Sequence, residues 1–278
     1  MRFRHAICNE AFDKWDFAEA CRVMKKLGYE GIEIAPFTLA EDPVDVGAER
    51  RRELKDIMAS EGLQFAGLHW LMVSPKGLHV ATSDESIRQR GWQHIRNLID
   101  LCSDLGPNGV MVFGSPKQRC SDEKTSVEEA TRNYVDGLAS VASQAEQRGV
   151  TILIEALPVE QTDVVLTLDE AVEHVKQIGS PAIQTMFDSH NAINEVESHA
   201  DLIEKHFQWI RHVHVNELDG RHPGTGNYDF VSMFRRLAKL NYQGWISMEA
   251  FDFTPGAEKL AGESIEHLNR QIAEALAQ

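Results

Sequence analysis

The feature that most constrains this chain is an alternation of two kinds of segment. Eight short apolar, β-rich runs are separated by longer amphipathic stretches, several of which stop at a glycine. The candidate strands fall at 3–8, 31–35, 64–68, 109–113, 151–155, 183–188, 211–215 and 245–249. Between them apolar residues recur at three- and four-residue spacing over 17–27, 48–61, 85–105, 127–148, 167–178, 199–207 and 230–240, and 262–277 closes the series. Strands that alternate with helices pair in parallel, and eight of them can close on themselves. The expectation is therefore an α/β chain forming a single (β/α)8 TIM barrel. A doubly wound open sheet is the alternative, but no Gly-x-Gly-x-x-Gly turn follows the first strand.

A length of 278 residues suits one barrel of about 250 residues. No Ser- or Pro-rich linker divides the chain, so residues 1–278 are expected to form one unit. Two connections are long, 71–83 and 216–229. Both follow strands, on the side where a barrel carries its function.

Composition removes several classes of partner. A formal net charge of −15 repels phosphate backbones, so nucleic acid is excluded as a partner. No run approaches the roughly 20 apolar residues of a membrane span. The N-terminal MRFRHAICNEAF has no signal-peptide core, and the expected location is cytoplasmic. Cys8, Cys21, Cys102 and Cys120 are scattered, as suits reduced thiols, with Cys8 expected to be buried in a strand.

Four candidate strands end in metal-competent side chains: Glu155 in ILIEALP, Asp188 in MFDSHNA, His214 in HVHVNE and Glu249 in ISMEAF. In a parallel barrel the carboxyl ends of all strands share one mouth, so residues some thirty positions apart can surround one ion. Three carboxylates and an imidazole form a hard, oxygen-rich set. The expected cofactor is one divalent metal ion, Mn²⁺ first, with Mg²⁺, Co²⁺ or Zn²⁺ as alternatives. Without the ion, the carboxylates should repel and raise at least one pKa. His212 and His214 share a strand face. His214 is nearer the carboxyl end and is the expected ligand, with His212 beneath it. The partner of the ligand's other nitrogen is not visible in the sequence.

The segments GYEGIEI, ILIEALP, MFDSHNA, HVHVNELDGRHPGTGNYDF and GWISMEAF resemble the sugar phosphate isomerase/epimerase superfamily of xylose-isomerase-like barrels, over nearly the whole chain. The resemblance to its ketose 3-epimerases implies that Glu155, Asp188, His214 and Glu249 hold the ion and that Glu155 and Glu249 also move protons. Gln161, preceded by Glu160, stands where those epimerases carry a second glutamate. Asp188-Ser189-His190-Asn191 replaces their Asp-x-x-His, and their arginine beyond the metal histidine appears one position later, as Arg221. Homo-oligomers are common among such barrels, and one is expected here.

His190 and Arg221 follow ligand-bearing strands closely and are expected to touch substrate, with Gln161. His69 and Trp70 in GLHWLMV offer hydrogen bonding and ring stacking, although Trp70 suits a core position equally. Lys117, with Arg119, offers an anion or hydroxyl contact or a loop salt bridge. Glu33 in GIEI either supports the site or forms a surface ion pair. The HPGTGNYDF loop, with Pro223, Gly224 and Gly226, is not a nucleotide-binding turn.

The expected function is metal-dependent epimerisation or isomerisation of a small keto-sugar or keto-polyol through an enediolate. The alternative is a carbon–oxygen lyase, dehydratase or hydratase acting on a keto-sugar, keto-glycoside or inosose at the same metal. A DNA-repair endonuclease of the same barrel family would need a basic groove, and the acidity of the chain opposes it.

Overall fold

A computed structural model describes residues 2–277. Eight strands run in chain order: β1 (Arg4–Cys8), β2 (Gly31–Ile34), β3 (Gln64–Leu68), β4 (Val110–Phe113), β5 (Thr151–Ile154), β6 (Ile183–Asp188), β7 (Ile210–Val215) and β8 (Trp245–Met248). Each pairs in parallel with its sequence neighbour, and β1 pairs with β8 from Arg4↔Trp245 to Ile7↔Met248 to close the barrel. The strand starts and ends lie within one residue of those read from the sequence.

The helices are α1 (Phe17–Leu27), α2 (Ala48–Ser60), α3 (Glu85–Leu105), α4 (Pro116–Arg119), α5 (Val127–Gln147), α6 (Leu168–Ile178), α7 (His199–His206), α8 (Phe230–Lys239) and α9 (Ala257–Ala277). Their starts are chemically marked. The Ser126 and Thr167 hydroxyls accept the backbone N–H of Glu129 and Glu170, the donors left over at a helix N-terminus. Gly28 ends α1 at φ 112°, a conformation that glycine adopts without a Cβ penalty.

Two elements differ from the expectation. The short α4 was not anticipated; it starts at Pro116, whose fixed φ suits a first helical position. The last helix begins at Ala257, not at 262. Gly262 lies inside it, where an added Cβ would only touch Leu27 at 3.5 Å, so this glycine does not mark a boundary. The expected single unit also included Met1 and Gln278, which lie outside the described residues.

Strand alternation sorts the side chains into an outer and an inner set. Ile7, Ile32, Ile152, Val213 and Ile246 join the large apolar cluster beneath the helices. Two smaller clusters, Ala6–Ala66–Trp245 and Val110–Val112–Leu153–Met186, come from the intervening positions and fill the axis. One step further along the same faces, two residues on, stand Glu155, Asp188 and, on β8, Ser247 followed by Glu249. On β5 and β6 the polar layer at the mouth therefore rests on apolar Leu153 and Met186. Among the described residues no helix is long and apolar enough to cross a membrane.

Candidate metal and active site

Glu155, Asp188, His214 and Glu249 converge as expected. One ligand atom from each lies within 4.8 Å of all the others, and all four residues are buried. His214 Nδ1 faces the site, 3.1 Å from Glu249 Oε2 and 3.5 Å from Asp188 Oδ2. Asp188 Oδ1 is fixed by the backbone N–H groups of His190 and Asn191, at 2.7 and 2.8 Å. Its Oδ2 is buried with no hydrogen-bond partner. A buried, unsatisfied carboxylate oxygen aimed at two other carboxylates is costly unless a cation meets it. These residues fit a divalent ion.

The electrostatics agree. Burial, followed by the charges of Asp188 and Glu249, pushes the Glu155 carboxyl up to about 8 in the ion-free protein. Asn191 donates to Glu155 Oε1 at 3.0 Å, and Gly114 at the end of β4 faces its other oxygen. A Cβ at Gly114 would meet Glu155 Oε2, so glycine here leaves the carboxylate room to lie against the end of β4.

Beneath the four residues lies a buried ladder whose chemistry the sequence only hinted at. Glu33 is fully buried, which removes the surface ion-pair alternative. Its Oε1 meets His214 Nε2 at 3.0 Å and its Oε2 meets His212 Nε2 at 2.7 Å. Glu33 thus supplies the partner that a ligand histidine here would need. Accepting from Nε2, it would leave Nδ1 to an ion. Burial opposes the Glu33 charge, but His212 and His214 outweigh it and keep the carboxyl well below the usual range. GIEI carried a signal for this: a glutamate flanked by outward-facing isoleucines must point into the barrel.

Trp70 sits beside the site and not merely in it. Its backbone is left-handed, φ 50°, and its indole N–H donates to Glu249 Oε1 at 2.8 Å. The ring lies between Phe37 and Phe251, at centroid distances of 6.0 and 6.1 Å and interplanar angles of 21° and 11°. This aromatic wall borders a cavity of about 60 Å³ whose polar lining includes Glu155, Glu249, Gln161 and Asn191. A larger groove of about 710 Å³ lies outside the barrel at α7 and α8 and contains none of the four ligand residues.

The other expected contacts are distributed as follows. His190 donates from Nδ1 to the Leu218 carbonyl at 2.7 Å and packs against Phe251, behind the aromatic wall. Gln161 lines the cavity and reaches Asn191 at 3.3 Å. His69 is fully buried below the mouth, bound to Glu10 at 2.7 Å. Arg221 is exposed and pairs with Asp219 at 2.7 Å, in its own loop. Lys117 is exposed on α4. Arg119 corrects both of its alternatives: it is buried, and its guanidinium donates to the carbonyls of Phe113 and Val165, tying β4 to the loop after β5. Glu10 and Asn191 were not singled out in the sequence. Both lie just past a strand, where turn residues and site residues look alike.

Residues 21–271 match the family model described as Xylose isomerase-like TIM barrel, and the chain belongs to that family. The resemblance read from the five sequence segments is thereby confirmed. The ketose 3-epimerase of Arthrobacter globiformis is 23% identical over 184 residues, covering 66% of this chain and 63% of that protein, so the match spans less than two thirds of its length. The 3-dehydro-D-guloside 4-epimerase of Escherichia coli (strain K12) is 22% identical over 254 residues, covering 87% of this chain and 89% of the relative. The crystal structure of 3-keto-D-glucoside 4-epimerase from E. coli superposes with a TM-score of 0.80 at 19% identity, covering 100% of both chains.

Proposed function

We propose that this chain is a metal-dependent epimerase that inverts a hydroxyl-bearing carbon next to the carbonyl of a small keto-sugar, with Glu155 and Glu249 as the acid/base pair. The chain is an isomerase, the class to which its named relatives belong. The ion, the proton carriers and the substrate are what this reading adds. The observation that carries it is the convergence of two glutamates, one aspartate and one histidine within 4.8 Å at the barrel mouth.

Glu155, Asp188, His214 and Glu249 would hold the ion, and their hard donor set favours Mn²⁺. The chemistry the ion supplies is polarisation of the substrate carbonyl, which favours loss of the proton from the adjacent carbon as an enediolate forms. Glu155 and Glu249 immediately follow β5 and β8, with β6 and β7 between those strands. One removes the proton from one face and the other returns a proton to the opposite face, so the configuration inverts. Asn191 fixes the first carboxylate and Trp70 the second. The Phe37–Trp70–Phe251 wall offers a sugar ring an apolar face and limits water around the exchanging proton.

A 3-keto-glycoside is the favoured substrate class. The relative named for such a compound aligns along most of both chains, and Gln161 stands where the resemblance to ketose 3-epimerases leads one to expect glutamate.

The test is proton–deuterium exchange followed by NMR, using Mn²⁺-loaded protein in D₂O with free ketoses and 3-keto-glycosides. Deuterium at the inverted carbon of an epimerised product, absent with Glu155→Gln and Glu249→Gln, is the expected result. An unsaturated or hydrated product would identify a lyase instead, and no exchange with any substrate would remove the carbonyl chemistry.

A further inference from the structure

We infer that the barrel holds a second divalent cation, of the borderline-soft kind exemplified by Zn²⁺, bound by Cys8, Glu10, His69 and Glu249. These four offer ligand atoms that all lie within 4.8 Å of one another, and all four are buried. They come from the end of β1 and the turn after it, the residue after β3 and the residue after β8. The group shares Glu249 with the first ion, and in that respect it rests on the function proposed above.

Three observations carry the inference. The first is the donor set itself. A thiol, an imidazole and two carboxylates make a softer combination than the oxygen-rich site beside it, and they suit a different ion. The second is an unsatisfied donor or acceptor. His69 is fully buried, and its Nδ1 has no hydrogen-bond partner within normal distance; it stands 3.9 Å from Glu33 Oε1. The Cys8 thiol interacts with the His69 imidazole and makes long contacts, 3.6 Å to Ser247 Oγ and 4.0 Å to His214 Nε2.

The third is charge. Glu10, Glu33, Glu155, Asp188 and Glu249 are all at most 6% exposed. Their hydrogen bonds come from imidazoles, one indole, one carboxamide and backbone N–H groups. The buried guanidinium of Arg119 is directed at backbone carbonyls. One divalent ion offsets two of these five negative charges and leaves the rest to imidazoles that would have to stay protonated. A second ion offsets two more charges, one of them the thiolate that Cys8 becomes on binding. Binding releases the Cys8 thiol proton to solvent, since the thiolate is the ligand.

Elemental analysis of protein equilibrated with Zn²⁺ and dialysed should give two equivalents per chain. Cys8→Ser and His69→Gln, checked for folding by circular dichroism, should each retain one. Protein loaded with Co²⁺ should show a thiolate-to-cobalt charge-transfer band that Cys8→Ser abolishes, while the weaker ligand-field bands of the first ion persist. One equivalent and no thiolate band in the unmodified protein would overturn the second site while leaving the epimerase reading intact. Two equivalents retained in both variants would overturn it as well. No bound ion at all would remove both readings together.

Discussion

The hydrogen bond from Trp70 to Glu249 is the contact at which a single atom can be separated from a side chain. Trp70→Phe keeps an aromatic ring between Phe37 and Phe251 and removes the N–H aimed at Glu249 Oε1 with the five-membered ring that carries it. A hydrogen bond to a charged group contributes about 1.5–3 kcal/mol, and each 1.4 kcal/mol is tenfold. The kcat of Trp70→Phe should fall roughly 10- to 100-fold, with KM nearly unchanged, because the Phe251 ring that borders the cavity remains. A rise in KM at constant kcat would make Trp70 a stacking residue alone. Glu33 acts through His214 without touching the ion. In Glu33→Gln, Mn²⁺ affinity measured by calorimetry should drop by about 10- to 100-fold, the usual cost of losing the partner of a ligand histidine. Unchanged affinity would show that His214 needs no such support.

At the scale of elements, the strands and helices were legible because each has its own period and its own stop signals. The convergence of Glu155, Asp188, His214 and Glu249 was legible because a parallel barrel gathers the ends of its strands, so position along the chain became position in space. What stayed hidden depended on pairing across the barrel. Nothing local says that Glu33 on β2 meets two histidines on β7, or that Trp70 after β3 reaches a glutamate after β8. Arg221, in the loop after β7, pairs with Asp219 of the same loop, a partner that the sequence pattern did not single out. Close packing of helices was equally invisible. Gly137 of α5 faces the Trp92 ring of α3 so closely that a Cβ would overlap it. Alanine is favoured over glycine in a helix by about 1 kcal/mol, but forcing an atom into a packed core costs about 1–3 kcal/mol, against a large ring that the Val80 carbonyl also fixes. Packing should win. Gly137→Ala should lower the urea midpoint of the barrel; a higher midpoint would mean that propensity governs this helix and that α3 shifts freely.

For the whole molecule, the crowded carboxylates make ion binding and barrel stability one question, and pH separates the contributions. In the ion-free protein Glu155 titrates near 8 against an ordinary value of 4.5, because of burial first and the charges of Asp188 and Glu249 next. The folded chain therefore holds a proton that the unfolded chain has lost. Stability from this group is fully present below 4.5 and is lost as pH rises through 8. The His214 imidazole, raised by Glu33 and Glu249 against the effect of burial, shifts stability in the same direction at higher pH. Other histidines with depressed pKa values, such as His5 and His94, act in the opposite sense. Their effect is common to the loaded and ion-free forms, so it cancels in the difference between the two. A bound cation displaces the site's protons, and each displaced proton changes the stabilisation by about 1.4 kcal/mol per pH unit. With roughly 2–4 °C per kcal/mol for a chain of this size, the Tm in saturating Mn²⁺ minus the Tm in EDTA should grow by about 3–6 °C per pH unit between pH 5 and 8. Glu155→Gln, which carries no titrating proton there, should reduce that slope and leave the share contributed by His214. A difference independent of pH in the unmodified protein would mean that Glu155 is already ionised without the ion, and the carboxylates at the mouth would then need some other source of compensation.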